Sequence, residues 1–183
     1  MGHQDNNMGD EWIGIIKPYY YKGERDNEPY DIELMLRIYI LQNLYDLSDM
    51  RAMTEVIDSP SFSRFCEINW SNQVPDGDTI EMFRNILVKY GLQRKLFRQA
   101  VSMLTGQGLI LKKGTILDST IIAATSSTKN KEKNRDSQAH SVKNGSIWHF
   151  GYKVHVGVDS KTKLVHKVKI TAANVHDVTI THH

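Results

Sequence analysis

Apolar and polar positions follow two different periods along this chain. From Asp31, a residue type suited to an N-cap, Leu34, Ile38, Leu41 and Tyr45 recur at helical spacing and predict an amphipathic helix over 32–46. Ser48 can cap a second helix over 49–57, and the Ser59-Pro60 pair opens a short third one running to about Cys66. After the loop from Asn69 to Gly77, Asp78 and Glu81 form a capping box for a fourth helix with the stripe Ile80, Phe83, Leu87 and Tyr90. Gly91 ends it, and Leu92, Leu96, Ala100 and Leu104 mark a fifth helix stopped by Gly106 and Gly108. Residues 1–29 are polar, punctuated by Gly and Pro around Tyr19, Tyr20 and Tyr21, and read as a flexible arm.

Beyond Gly114 the period changes to two. Gly114-Thr-Ile-Leu-Asp-Ser-Thr-Ile-Ile-Ala-Ala is apolar on both faces and reads as a central strand interrupted by Asp118. Residues 125–146 are polar and rich in Lys, Asn and Ser, and read as one long exposed loop. Trp148, Phe150, Tyr152, Val154, Val156 and Val158 alternate with His149, Gly151, Lys153, His155, Gly157 and Asp159, which predicts a half-buried second strand. After a turn at 159–163, Leu164, His166, Val168 and Ile170 give a third strand antiparallel to the second. Asp177 then stands where it can cap a helix starting at Val178. The expected fold class is α+β, with an arm over 1–29, a helical domain over 30–111 and a strand-rich domain over 112–183.

Charge sharpens this division. Residues 1–111 hold 11 basic and 16 acidic side chains, whereas 112–183 hold 12 basic and 5 acidic ones together with seven of the eight His. The basic half suggests a polyanionic partner, against the plainer reading of a solvated lysine-rich surface. Its candidate phosphate-contacting residues are Lys129, Lys131, Lys133, Arg135 and Lys143 in the polar segment and Lys153 and His155 on the second strand. The segment itself reads either as an arm that orders on nucleic acid or as plain disorder. The arginines of the first half, Arg37, Arg51, Arg64, Arg84, Arg94 and Arg98, read as ordinary exposed helix charges. The one cysteine, Cys66, excludes an internal disulfide and reads as a core filler. No apolar run reaches the ~20 residues of a membrane span, and the N-terminus lacks a signal-peptide pattern, so a cytoplasmic location is expected.

The chemical candidate is Asp118. A carboxylate inside an apolar strand costs several kcal/mol unless a cation or metal meets it. The alternative is an acid that caps a turn or pairs with a lysine. A zinc site on His166, His176, His182 and His183 is the reading of a different class, weakened by spacings unlike those of paired zinc ligands.

Several stretches in order carry a family resemblance: Leu36-Arg-Ile-Tyr-Ile-Leu-Gln, Ser59-Pro-Ser-Phe-Ser-Arg-Phe, Val74-Pro-Asp-Gly-Asp-Thr-Ile-Glu-Met-Phe-Arg, the Asp118 strand, Ser126-Ser-Thr-Lys-Asn, Trp148-His-Phe-Gly-Tyr-Lys-Val-His-Val-Gly-Val-Asp, and Thr171-Ala-Ala-Asn-Val-His-Asp-Val-Thr. Together they resemble bacterial insertion-sequence transposases of the insertion-sequence-five type. The resemblance implies a helical N-terminal domain and a ribonuclease-H-like catalytic domain, present here as an incomplete α/β unit with its first three strands. It implies an Asp, Asp, Glu triad that holds two magnesium or manganese ions for DNA strand cleavage and transfer, with Asp118 as the first acid.

The family's second Asp and its Glu have no matching string in this chain. Asn174, His176 and Asp177 are assigned as helix-capping or ligand-supporting residues. The implied function is cut-and-join transposition by a chain that is inactive until completed, or else a catalytically dead DNA-binding or regulatory fragment. The implied partners are double-stranded DNA at the transposon ends, a second copy of the chain, and a downstream-encoded C-terminal fragment, in a bacterial cytoplasm close to the nucleoid.

Overall fold

The structure is a computed structural model that describes residues 8–21, 28–68, 74–111, 113–124 and 136–176. Among the described residues, six helices precede four strands: α1 (Met8–Tyr20), α2 (Ile32–Tyr45), α3 (Asp49–Asp58), α4 (Pro60–Phe65), α5 (Gly77–Lys89), α6 (Leu92–Gly106), β1 (Thr115–Ala123), β2 (His140–Asn144), β3 (Ile147–Asp159) and β4 (Val165–Ala172). The fold is therefore α+β. The chain divides into two compact units, Met1–Met103 and Leu104–His183. No helix among the described residues is long and apolar enough to cross a membrane.

The helical unit holds the hydrophobic core. Ile16, Tyr20, Ile32, Met35, Ile38, Val56, Ile80, Phe83, Leu87 and Leu92 are all at most 2 % exposed and form one cluster. Tyr20 and Tyr39 both meet the Phe83 ring edge-on. The region expected to be a flexible arm contributes to this core, because Met8–Tyr20 is helical. Trp12, Ile13, Ile15, Ile16, Tyr19 and Tyr20 give α1 an apolar face, and burying it outweighs the helix-weakening Gly9, Gly14 and Pro18.

The caps place the helix starts. Ser48 accepts from the Arg51 amide at 3.3 Å as expected, whereas Asp31 makes no capping hydrogen bond. The fourth predicted helix starts earlier than the Asp78 capping box implies: Asp76, in extended conformation, accepts from the Thr79 amide at 2.8 Å, and Gly77 is already helical. Asp49 joins three helices. It accepts from Gln42 Nε2 on α2 at 2.8 Å and from Arg84 Nη2 on α5 at 2.7 Å. The Arg84 hydrogen bond holds its carboxyl below the usual carboxylate range, against the opposing effect of burial. Cys66 is a core filler, and burial pushes its thiol up to about 11.

In the sheet unit, β3 is the hub. β1 runs antiparallel to it from Thr115↔Asp159 to Ala123↔Gly151, β2 pairs with its first residues, and β4 pairs with Tyr152 to Val158. Four strands thus replace the three expected. The additional β2 lies inside the segment read as a loop, and Asn144↔Ile147 closes on a two-residue turn in which Gly145 has φ 60. That conformation suits Gly, and Asn144-Gly145 is a hairpin signal.

Asp159, fully buried, organises the other end of β3. It accepts from the amides of Lys161 and Thr162 at 2.9 Å and from that of Leu111 at 3.0 Å, which fixes both the turn into β4 and the approach to β1. Gly151 is required by crowding: a Cβ there would overlap the Ile122 carbonyl and stand 2.7 Å from the Ala124 nitrogen.

Burial of β3 reverses the expectation. Gly151, His155, Gly157 and Asp159 are the buried residues, while Val154, Val156 and Val158 on the apolar face are only half-buried. The neighbours of these valines are open: Ile116 is 47 %, Ile122 51 %, Val168 48 % and Ile170 63 % exposed. Among the described residues, Ile110, Ala139 and Ala173 are the buried apolar side chains of this unit, so its sheet lacks a covering layer there.

Candidate active site

Asp118 lies within β1, directly opposite Val156 of β3, which in turn faces Val168 of β4. The three-strand row is therefore carboxylate, valine, valine. Ile116 and Thr120 flank Asp118 on the same face, since alternate residues of a strand share a face. The carboxylate is exposed and accepts a 2.8 Å hydrogen bond from the adjacent Ser119 amide. Among the described residues no cation pairs with it, and it caps no turn. Asp118 stands as a carboxylate presented on an otherwise apolar face.

The candidate phosphate contacts separate in space. Lys143 of β2 is exposed and pairs with Trp148, which puts it on the face of Asp118. The eight steps along β3 from Trp148 to Val156 nevertheless hold the two about 27 Å apart at ~3.4 Å per residue. Lys153 and His155 occupy the opposite face and are engaged within the fold. Lys153 Nζ donates to the Val175 carbonyl at 3.0 Å. His155 is 4 % exposed with its Nε2 2.9 Å from Thr171 Oγ1. The His155 ring is thus buried against β4, and the Lys153 ammonium pins the segment after β4. Lys129, Lys131, Lys133 and Arg135 lie outside the described residues.

Asn174 and His176 are exposed in the turn that follows β4, while Asp177 and the helix it was expected to cap lie outside the described residues. For the zinc reading, His166 Nε2 lies 3.1 Å from Thr115 Oγ1, His176 is the exposed residue just described, and His182 and His183 are again outside the description. No group of three His, Cys, Asp or Glu side chains able to hold a metal occurs among the described residues.

Residue-by-residue reading missed three supports of this sheet. Asp159 and Gly151 are two. The third is Asp136, which accepts from the Tyr152 hydroxyl and from the Gln138 amide at 3.0 Å, and so fixes the chain just ahead of β2. The tyrosine hydrogen bond holds the Asp136 carboxyl below its ordinary range and raises the Tyr152 phenol. The signal available in the sequence was Asp136-Ser137-Gln138, an Asx-turn pattern.

Residues 8–85 match the family model of a transposase domain (DUF772), and residues 110–183 match that of a transposase DDE domain. The first match begins at the start of α1, and the second contains β1 to β4 with Asp118. No solved structure matches the chain.

Proposed function

The chain belongs to the DDE transposases, and from that premise we propose that it serves cut-and-join transposition of an insertion sequence of the insertion-sequence-five type, with Asp118 as the first carboxylate of the catalytic site. The observation that carries the reading is the Asp118 carboxylate on the face of β1 shared with Ile116 and Ile122, with no cation paired to it among the described residues, inside the stretch that matches the DDE domain. The family uses divalent metal ions, and bound magnesium or manganese supplies activation of the attacking oxygen and stabilisation of the leaving 3′-oxygen. Asp118 fits such an ion in kind, since hard cations take carboxylate oxygens. It supplies at most two of the six oxygens around an octahedral ion, water and phosphate oxygens can fill others, and among the described residues no group of three ligating side chains completes the family's set. Asp118 therefore anchors and orients, and the remaining acids come from outside the described residues.

The uncovered sheet supports the same reading. β1 exposes Ile116 and Ile122 on one face and Leu117, 36 % exposed, on the other. A strand apolar on both faces belongs inside a layered α/β domain. We assign that domain as ribonuclease-H-like, completed by further polypeptide that brings the second Asp and the Glu, either joined to this chain or encoded downstream. DNA at the transposon ends is the partner, a dimer pairs two ends, and the site of action is the bacterial cytoplasm. One observation favours a narrower role for the chain by itself: with no group of three metal-ligating side chains among the described residues, it binds ends without cutting them.

Nicking of labelled duplex carrying the element's ends tests the proposal, with magnesium or manganese and three proteins: this chain, its extension through the downstream sequence, and the extension carrying Asp118→Ala. Cutting by the extension alone is the expected result. Cutting by the Asp118→Ala extension would remove Asp118 from the site.

A further inference from the structure

The helical unit is acidic overall, yet its cations are not distributed alike. Arg37, Arg51 and Arg84 each hold a carboxylate at 2.6–2.8 Å. Lys89, Arg94, Lys95 and Arg98 have no carboxylate in pairing distance among the described residues, and they fall together at the end of α5 and along α6. The fifteen residues of α6 contain no Asp or Glu. Leu92 and Leu96 turn its opposite side into the core, which points Arg94, Lys95 and Arg98 outward as one stripe.

Two aromatic rings join this stripe to Lys89. Tyr19 and Tyr90 pack with centroids 4.7 Å apart. The Lys95 ammonium lies 5.2 Å from the Tyr19 ring and 3.3 Å from its hydroxyl, and the Lys89 ammonium lies 5.4 Å from the Tyr90 ring. Arg94 and Lys95 sit in the first turn of α6, where the helix dipole disfavours positive charge. Four cations thus share one surface with no carboxylate in pairing distance among the described residues, two of them at a helix start whose dipole disfavours positive charge, an arrangement that suits an anionic ligand.

We propose that this α5–α6 surface grips the phosphate backbone of duplex DNA through Lys89, Arg94, Lys95 and Arg98, with the Tyr19 and Tyr90 rings holding the two lysines in place. The proposal rests on DNA being the partner of this transposase and deepens that reading by assigning part of the grip to the helical unit. Its contacts are to phosphate, so they position the duplex without reading its sequence.

The test is duplex-DNA binding by the full chain, followed by fluorescence anisotropy between about 50 and 200 mM salt. Each lost phosphate contact reduces the slope of log affinity against log salt by about 0.9, so Arg94→Gln with Arg98→Gln should flatten it by about 1.8. Arg94→Lys with Arg98→Lys should restore it, and Arg64→Gln, at a cation of α4 with no carboxylate in pairing distance among the described residues, should leave it unchanged. A wild-type slope in the double Gln variant overturns the surface while leaving DNA binding and the Asp118 reading intact. Failure of the wild-type chain to bind duplex DNA overturns the DNA reading and the surface with it.

Discussion

Removing the Asp159 carboxylate should free the turn into β4 and the approach to β1 at once. The group is fully buried and accepts three backbone hydrogen bonds, from Leu111 at 3.0 Å and from Lys161 and Thr162 at 2.9 Å. A hydrogen bond to a charged acceptor contributes about 1.5–3 kcal/mol. The Lys161 and Thr162 amides lie in a turn at the surface and regain water in the variant, so the three do not add in full. Asp159→Ala should therefore destabilise the sheet unit by about 3–5 kcal/mol. Asp159→Asn keeps one acceptor oxygen and should cost about 1–2 kcal/mol. Hydrogen exchange of the Leu111 amide reads the effect locally. At about 1.4 kcal/mol per tenfold, protection should fall by roughly two to three and a half orders of magnitude in the Ala variant and about tenfold in the Asn variant. Unchanged Leu111 exchange in Asp159→Ala would refute the reasoning, because it would mean that this carboxylate does not hold the approach to β1.

Two further perturbations test other parts of the fold. Gly151→Ala should cost about 3 kcal/mol and shift β1, since the new Cβ meets main-chain atoms of Ile122 and Ala124 that cannot rotate away; loss of slow-exchanging amides over 121–124 would show it, and an unperturbed pattern would contradict it. Asp49 titrates below its ordinary range because Arg84 bonds to its ionised form, so its stabilisation is complete above the unfolded value of about 3.9 and disappears as pH falls through the lower folded value. Arg84→Gln should thus lower stability by about 1 kcal/mol at pH 6, a modest effect because the Arg84 side chain is 40 % exposed, and should flatten the acid limb below about pH 4. Urea unfolding curves of the two proteins that run parallel from pH 3 to about 7 would contradict this assignment.

α2, α5 and α6 were legible from apolar stripes that repeat over several turns, the last two ending at Gly91 and Gly106, and α3 and α4 from the start signals Ser48 and Ser59-Pro60. The exact cap at α5 was not, since Asp76 and Asp78 are both suitable residue types and the backbone conformation decides between them. α1 was hidden by composition: Gly, Pro and three consecutive Tyr read as a loop, and the burial of Ile16 and Tyr20 that stabilises the helix is a tertiary property. β2 was hidden because His140-Ser-Val-Lys-Asn is mostly exposed and carries no apolar alternation, although its Asn-Gly turn was readable. On β3 the alternation gave the two faces correctly and their burial incorrectly, since half-covered valines require a layer that the described residues do not supply. Asp118 was legible as an acid in an apolar strand. Lys153 and His155 were not legible as internal contacts, because Val175 and Thr171 come from after and within a different strand.

The central claim is that the Asp118 carboxylate ligates the catalytic metal. Replacing oxygen by sulfur tests it directly, since magnesium binds thiolate poorly and manganese accepts softer ligands. In the chain extended through the downstream sequence, Asp118→Cys should lose at least about 100-fold in nicking of end-containing DNA with magnesium and recover part of it with manganese. Nicking at the wild-type rate with magnesium, or loss with both ions while DNA is still bound and Asp118→Glu remains active, would contradict a ligand at this position.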